Sequence, residues 1–210
     1  VMDFVDEHTP WKKARDEKDT AMHRRASYKD PKTKVVKGYK SEIIGVTLKN
    51  QPERARGKRG KIILFEEAGK FPHLLKAWSI ARPSVEQGNV TFGTMVAFGT
   101  GGTEGADFEG IRTLFSQPEG YRIYSIQNVF DQNAPEDSKS GWYCGEYFNR
   151  EGHYDKDGNS DVFNALIEII EEREKVKKAT TDPNAMIQEK ADRSITPMEA
   201  MMRREGSIFP

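Results

Sequence analysis

Between Lys61 and Phe98 the chain carries two apolar runs, KIILF at 61–65 and VTFGTMVAF at 90–98, separated by the length of one helix and its turns. Both read as strands, and the first, continuous and without polar alternation, reads as one covered on both faces, which requires a sheet with helices packed against it. The intervening AGKFPHLLKAWSIARPSVEQG places Leu74, Leu75, Trp78 and Ile80 near helical spacing, and Pro83 ends the run, so a helix is predicted over 72–81. Strand, helix and strand in this order predict a parallel pair joined by a crossover, with both strand ends at the same edge. The 61–65 strand is expected to be central in its sheet.

Other elements extend this pattern. EIIGVTL at 42–48 is a short β-branched strand, Phe108 to Ser116 a short helix, and YRIYSIQNV at 121–129 a fourth strand by partial alternation. Together they predict an α/β layer fold with a mainly parallel sheet. Residues 1–40 are charge-dense, with only Trp11, Ala14, Lys18 and Met22 as a weak helical stripe. From about Asp131 the texture changes. NAPEDSKSG is a loop, and Asp161 to Lys178 is an amphipathic helix with Val162, Ala165, Leu166, Ile169, Ile170 and Val176 on one stripe. A polar helix follows near Pro183 to Asp192. Thr196 then caps a helix starting at Pro197, with Glu199 completing a capping box. The chain divides accordingly into 1–130 and a small helical subdomain at 131–210.

Composition narrows the partners. Lys plus Arg number 33 and Asp plus Glu 33, so any basic patch must be local rather than global. A single cysteine, Cys144, excludes an internal disulfide and is expected as a small core residue, which fits a reducing compartment. No apolar run approaches the roughly 18 to 20 residues that span a bilayer, and VMDFVDEH lacks the regions of a signal peptide. A soluble, cytoplasmic protein is expected. Val1 ahead of Met2, and an end at SIFP, read as an internal piece of a longer chain.

The chemistry concentrates in IILFEEAG, residues 62–69, where four apolar residues run into Glu66 and Glu67. A buried strand delivers such acids rigidly to the carboxyl edge of a sheet, where phosphates and magnesium sit in open α/β folds. The string alone is a weak signal and reads first as a strand ending in a solvated turn. The second run, however, ends in AFGTGG at 97–102, which brings Gly99 and Thr100 to the same edge in a parallel pair. Ahead of the acids lies a basic loop, ERARGKRGK at 53–61, in which Arg54, Lys58, Arg59 and Lys61 could face nucleic-acid phosphates.

The stretch GVTLKNQPERARGKRGKIILFEEAGKFP, followed by MVAFGTGG and more loosely by ITPMEAMMRREGSIFP, resembles the large terminase subunits of tailed bacteriophages, a branch of the P-loop ATPases. The resemblance covers roughly residues 40–210. It implies a P-loop NTPase-type sheet and ATP hydrolysis coupled to translocation of double-stranded DNA into a capsid, with ATP and Mg2+ as cofactors. Glu66 is then the Walker B metal-shell acid, Glu67 the catalytic carboxylate, Gly99 and Thr100 the coupling motif, and Arg56 an arginine finger reaching a neighbouring subunit's nucleotide. The metal-shell position is usually Asp in the family, and here it is Glu66. The implied partners are DNA, a portal protein, a small terminase subunit and further copies in a ring, in the host cytoplasm and away from any membrane. Residues 1–130 would be the rear of the ATPase domain and 131–210 a linker or lid subdomain before an absent nuclease domain. No G-x-x-x-x-G-K-[ST] phosphate loop occurs in the 210 residues. The resemblance puts it upstream, so these residues alone are expected to be inactive.

Two other readings stay open: a helicase-like or repair P-loop ATPase, and a non-catalytic DNA-binding or assembly protein using the 53–61 loop. YDKDGNSD at 154–161 mimics the start of a calcium loop but has Ser160 at the glycine position and Leu166 at the position of the bidentate Glu, so a helix-capping turn is expected. His8, His23, His73 and His153 lack ligand spacing and are expected to be surface or packing residues.

Overall fold

The computed structural model describes residues 7–8, 19–48, 51–57, 59–99 and 108–202. The chain forms two compact units, Val1–Leu48 and Lys49–Pro210. In the first, β1 (Asp19–Thr20), β2 (His23–Arg25) and β5 (Glu42–Ile44) make an antiparallel sheet in the order β1-β2-β5, and β3 (Tyr28–Lys29) pairs with β4 (Val36–Lys37) as a hairpin. The 42–48 run is thus a strand only at its start, and its partner is β2 rather than the parallel pair. Trp11, Ala14 and Lys18 of the weak stripe lie outside the described residues, and Met22 sits in the β1–β2 turn.

The second unit is built around β6 (Ile62–Phe65). It pairs in parallel with β9 (Thr94–Ala97), in the register Ile62↔Thr94 to Phe65↔Ala97. The crossover contains α1 (Leu74–Ala81), a 3-10 turn at Arg82–Ser84, and a hairpin of β7 (Glu86–Gln87) with β8 (Val90–Thr91). The 90–98 run is therefore two strands. The break falls at Phe92 and Gly93, whose N–H groups both donate to the Val85 carbonyl, at 2.9 and 3.2 Å. Gly93 passes so near the residues leading into β6 that a Cβ there would stand 2.6 Å from the Gly60 oxygen, and this close approach sets where β9 begins.

Helix α1 buries one face of the pair. Phe65 and Trp78 meet at 5.7 Å between ring centroids, and Ala68, Leu74, Ala77, Ala81 and Val85 complete the cluster. From α2 (Glu109–Ser116) and the residue before it, Leu114 and Phe108 are also buried. The opposite face of the strands is open, with Ile62 66%, Leu64 60%, Val96 39% and Phe98 43% exposed. This corrects the expectation of a central strand covered on both faces. Among the described residues β6 has one neighbour, and the only helix of the crossover lies on one side.

The expected fourth strand is corrected as well. Tyr121 closes a 3-10 turn begun at Pro118, Arg122 turns left-handed at φ 52°, and only β10 (Ile126–Gln127) pairs, antiparallel with β11 (Lys139–Ser140). The fold is a mixed α/β arrangement of small sheets with one parallel pair and, among the described residues, five helices.

The helical end follows its capping signals. The Asp161 carboxylate accepts the Asn164 N–H at 3.2 Å and starts α3 (Val162–Ala179), and Asp182 does the same for α4 (Pro183–Asp192) through the Asn184 N–H at 2.9 Å. Thr196 Oγ1 accepts the Glu199 N–H at the start of α5 (Pro197–Ala200). The return bond of the capping box falls one residue early, from the Ile195 N–H to Glu199 Oε2 at 2.7 Å. Arg173 on α3 grips both Glu199 oxygens at 3.0 and 2.9 Å, tying α5 to α3. On α3, Ala165 and Ile169 are buried, whereas Ile170 is 53% exposed and leaves the expected stripe. Cys144 is exposed rather than buried. It follows Tyr143, whose ring packs edge-on to Phe130 at 5.6 Å and whose hydroxyl donates to the Ser194 carbonyl, so alternation in this extended segment turns Cys144 outward. No helix among the described residues is long and apolar enough to cross a membrane.

Candidate active site

Parallel pairing places the ends of β6 and β9 side by side, and the turns leaving them close on each other. Phe98 N–H donates to the Phe65 carbonyl at 3.1 Å, and Ala68 N–H donates to the Phe98 carbonyl at 2.9 Å. Between these bonds sit Glu66 and Glu67, both exposed. Glu67 has φ 52° and ψ 39°, the left-handed region that side-chain-bearing residues adopt only when the surroundings impose it. This turn redirects the chain into a 3-10 segment, Ala68–Lys70, whose Ala68 and Gly69 are buried under the pair. Burial of Ala68 and its bond to Phe98 hold Glu67 in place.

Gly99 faces this turn. A Cβ on it would lie 3.0 Å from Ala68 N, 3.1 Å from Glu67 Cα and 3.2 Å from Glu67 C, so two backbones meet where any side chain would separate them. Three of the residues singled out from the sequence, Glu66, Glu67 and Gly99, are therefore assembled at one sheet edge. Thr100 lies outside the described residues.

Lys70 was not anticipated. Its ammonium stands 3.2 Å from Glu67 Oε1, both side chains partly exposed. The signal available in the sequence was only its position three residues after Glu67. A cation here lowers the cost of holding two adjacent carboxylates at one strand end.

Arg56 is elsewhere. It terminates a 3-10 turn, Pro52–Ala55, and pairs with Glu53 at 3.0 Å, and Glu53 also meets Lys76 of α1 at 3.3 Å. Arg56 first, then Lys76, hold the Glu53 carboxyl below its ordinary range. No ion pair joins Arg56 to Glu66 or Glu67 among the described residues, and its guanidinium points into solvent at 74% exposure. Lys61 is engaged too, donating to the Phe92 carbonyl at 3.1 Å and standing 5.7 Å from the Phe92 ring centroid. Arg59 is exposed, and Lys58 lies outside the described residues.

A second ionic cluster is structural in character. Arg150, with its side chain 10% exposed, lies 3.5 Å from Glu146, 3.0 Å from Glu168 and 2.7 Å from Glu172, and His153 also contacts Glu168. Arg150 first, then His153, hold the Glu168 carboxyl at about 2. The cluster fastens the 146–153 segment to α3. In the calcium-like turn, Asp155 accepts the N–H groups of Asp157 and Asn159, both at 2.8 Å, and the Asn159 side-chain amide at 2.9 Å, so its oxygens serve the turn itself.

A scan against protein-family models, a search of curated proteins and a search of solved structures each found nothing that matches this chain.

Proposed function

We propose that this chain contributes the Walker B half of a P-loop ATPase, and that the ATPase is a terminase-type motor driving double-stranded DNA into a capsid. The observation that supports this reading most is the closure of the Glu66–Glu67 turn on Gly99 at the ends of a parallel pair. Two strand-end acids beside a glycine turn are the parts needed to position water and metal against a phosphate and to feel the result in the neighbouring strand. The uncovered apolar face of Ile62, Leu64, Val96 and Phe98 adds support, because parallel strands are stable with both faces covered and the crossover helices of a larger sheet would supply the cover.

The carboxylates suit the implied metal. Mg2+ keeps several waters and takes one or two protein carboxylates besides phosphate oxygens, so an exposed pair is a sufficient donor set without a third ligand. Glu66 would hold the metal shell. When bound, the ion supplies neutralisation of charge on the transferring phosphoryl group. Glu67, pinned in its left-handed turn and steadied by Lys70, would orient a water and accept its proton. Arg56, exposed and paired with Glu53, is available to reach a neighbouring subunit.

In the complete protein, Glu67→Gln is expected to lower ATP turnover by at least about a hundredfold while leaving nucleotide affinity within a fewfold, because the amide keeps the size and loses the base. Steady-state hydrolysis together with a fluorescent-nucleotide titration checks it. Near-normal turnover in that variant rules the assignment out.

A further inference from the structure

Helix α3 is apolar on two opposite faces. Ala165 and Ile169 are buried against the unit, and at 100° per residue Phe163, Ile167 and Ile170 fall on the other side of the helix. These three are 73%, 40% and 53% exposed, and their spacing of four and then three residues makes a continuous seam of the kind that helices use to pair. Continued towards the C-terminus, the same line reaches Glu174 and then Lys177, with Lys178 beside it. The seam is apolar in its first half and charged in its second.

The segments at the two ends of this helix differ in the sign of their net charge. The turn ahead of it carries Asp155 and Asp157 with Lys156 between them, all exposed and one negative charge in net, and its last turn carries Lys177 and Lys178, both exposed. None of Asp157, Lys175, Lys177 and Lys178 forms an ion pair among the described residues. We propose that a second copy of this chain docks antiparallel along the Phe163–Ile167–Ile170 seam.

The direction follows from electrostatics. A parallel pair would set the lysine ends against each other and the aspartate ends against each other, which is unfavourable. An antiparallel pair centred on Ile167 sets Ile167 opposite itself and Phe163 level with Glu171 of the other copy, one residue's rise, about 1.5 Å, from Ile170. With a rise of about 1.5 Å per residue, Lys177 then lies about 15 Å from the centre and overhangs the start of the opposing helix, where the aspartate turn begins. The opposed helix dipoles add to the preference. Glu174 comes level with Ser160 of the other copy rather than with an acid. Three apolar residues per helix bury less than the roughly 1,200 Å² of a stable standard interface, so the association is reversible and dependent on concentration and salt.

The test uses the full chain with Cys144→Ser, so that introduced cysteines are the only thiols. Under mild oxidation, Ile167→Cys is expected to form a covalent dimer by itself. Phe163→Cys and Ile170→Cys are each expected to stay monomeric alone and to cross-link when mixed. Self-cross-linking of Phe163→Cys would mean a parallel pair and would overturn the proposal. Sedimentation velocity on the unmodified chain is expected to show a monomer–dimer equilibrium that weakens as salt rises. Ile167→Lys should weaken it at least tenfold with helix content unchanged by circular dichroism, and Lys177→Glu with Lys178→Glu should weaken it severalfold, with recovery when Asp157→Lys is added. A chain that stays monomeric at every concentration, or a dimer indifferent to Ile167→Lys, refutes it. The outcome is independent of whether the ATPase reading holds, because neither Glu66 nor Glu67 is touched.

Discussion

Replacing Glu67 by glycine is expected to make the protein more stable than replacing it by alanine, although both remove the same carboxylate. Glu67 sits at φ 52° and ψ 39°, and a residue with a Cβ costs about 1–2 kcal/mol in that region. Glycine avoids this cost, and the greater freedom of its unfolded chain offsets about 0.5–1 kcal/mol of the gain. The net difference between the two variants is therefore about 0.5–1 kcal/mol in favour of glycine. Both variants lose the pair with Lys70, but those side chains are 66% and 38% exposed, so the loss is about 0–0.5 kcal/mol and is common to both. Urea unfolding followed by tryptophan fluorescence measures the difference as a shift in midpoint at constant m. In thermal scans it corresponds to about 1–4 °C for a unit of this size. If Glu67→Ala equals or exceeds Glu67→Gly, the left-handed turn carries no strain and the reasoning fails. A carboxylate kept where glycine would be more stable is what a functional constraint on that position would produce.

Gly99→Ala is expected to cost about 1–3 kcal/mol, because the new methyl meets backbone rather than a movable side chain; hydrogen exchange at the Ala68 amide, which bonds Phe98, should accelerate, and unchanged protection would count against the close contact. Arg173→Met should destabilise by about 2–4 kcal/mol, since Glu199 and Arg173 are only 15% and 13% exposed and the carboxylate loses its bidentate partner. Adding Glu199→Gln should recover part of that loss in urea unfolding, and a second variant no better than the first would place the damage elsewhere. The Glu168 carboxyl is held at about 2 against an ordinary 4.5, first by Arg150 and then by His153, so the fold favours its ionised form. Its contribution is full above about pH 4.5 and disappears as pH falls towards about 2, and Glu168→Gln should flatten the decline of the urea midpoint between about pH 5 and pH 2.

Much of the local structure was legible because it depends on short-range signals. The helices at 72–81 and 161–178 announced themselves by apolar spacing, and Asp161 and Thr196 cap the helices that begin at Val162 and Pro197 as expected, since caps act within one turn. The order of strand, helix and strand sufficed to place Glu67 beside Gly99, since a crossover connection makes two strands parallel and parallel strands end together.

Tertiary structure decided the rest. An apolar strand states that it needs cover and neighbours, but not which strand pairs with it, so Glu42–Ile44 joined β2 by antiparallel pairing and most of 121–129 stayed unpaired. Gly93 gave no sign in the sequence that it would pass against Gly60 and split an apolar run in two. Periodicity named Ala165 and Ile169 on the inward stripe of α3 but placed Ile170 there as well, and packing leaves Ile170 exposed. Val162, Ala165 and Ile169 form one line and Phe163, Ile167 and Ile170 another, and packing against the unit assigned Ile170 to the second. The same holds for Glu67: the residue type gave its charge, whereas its left-handed backbone, its pairing with Lys70 and its contact with Gly99 arise because Ala68 must be buried and hydrogen-bonded to Phe98 at the same time.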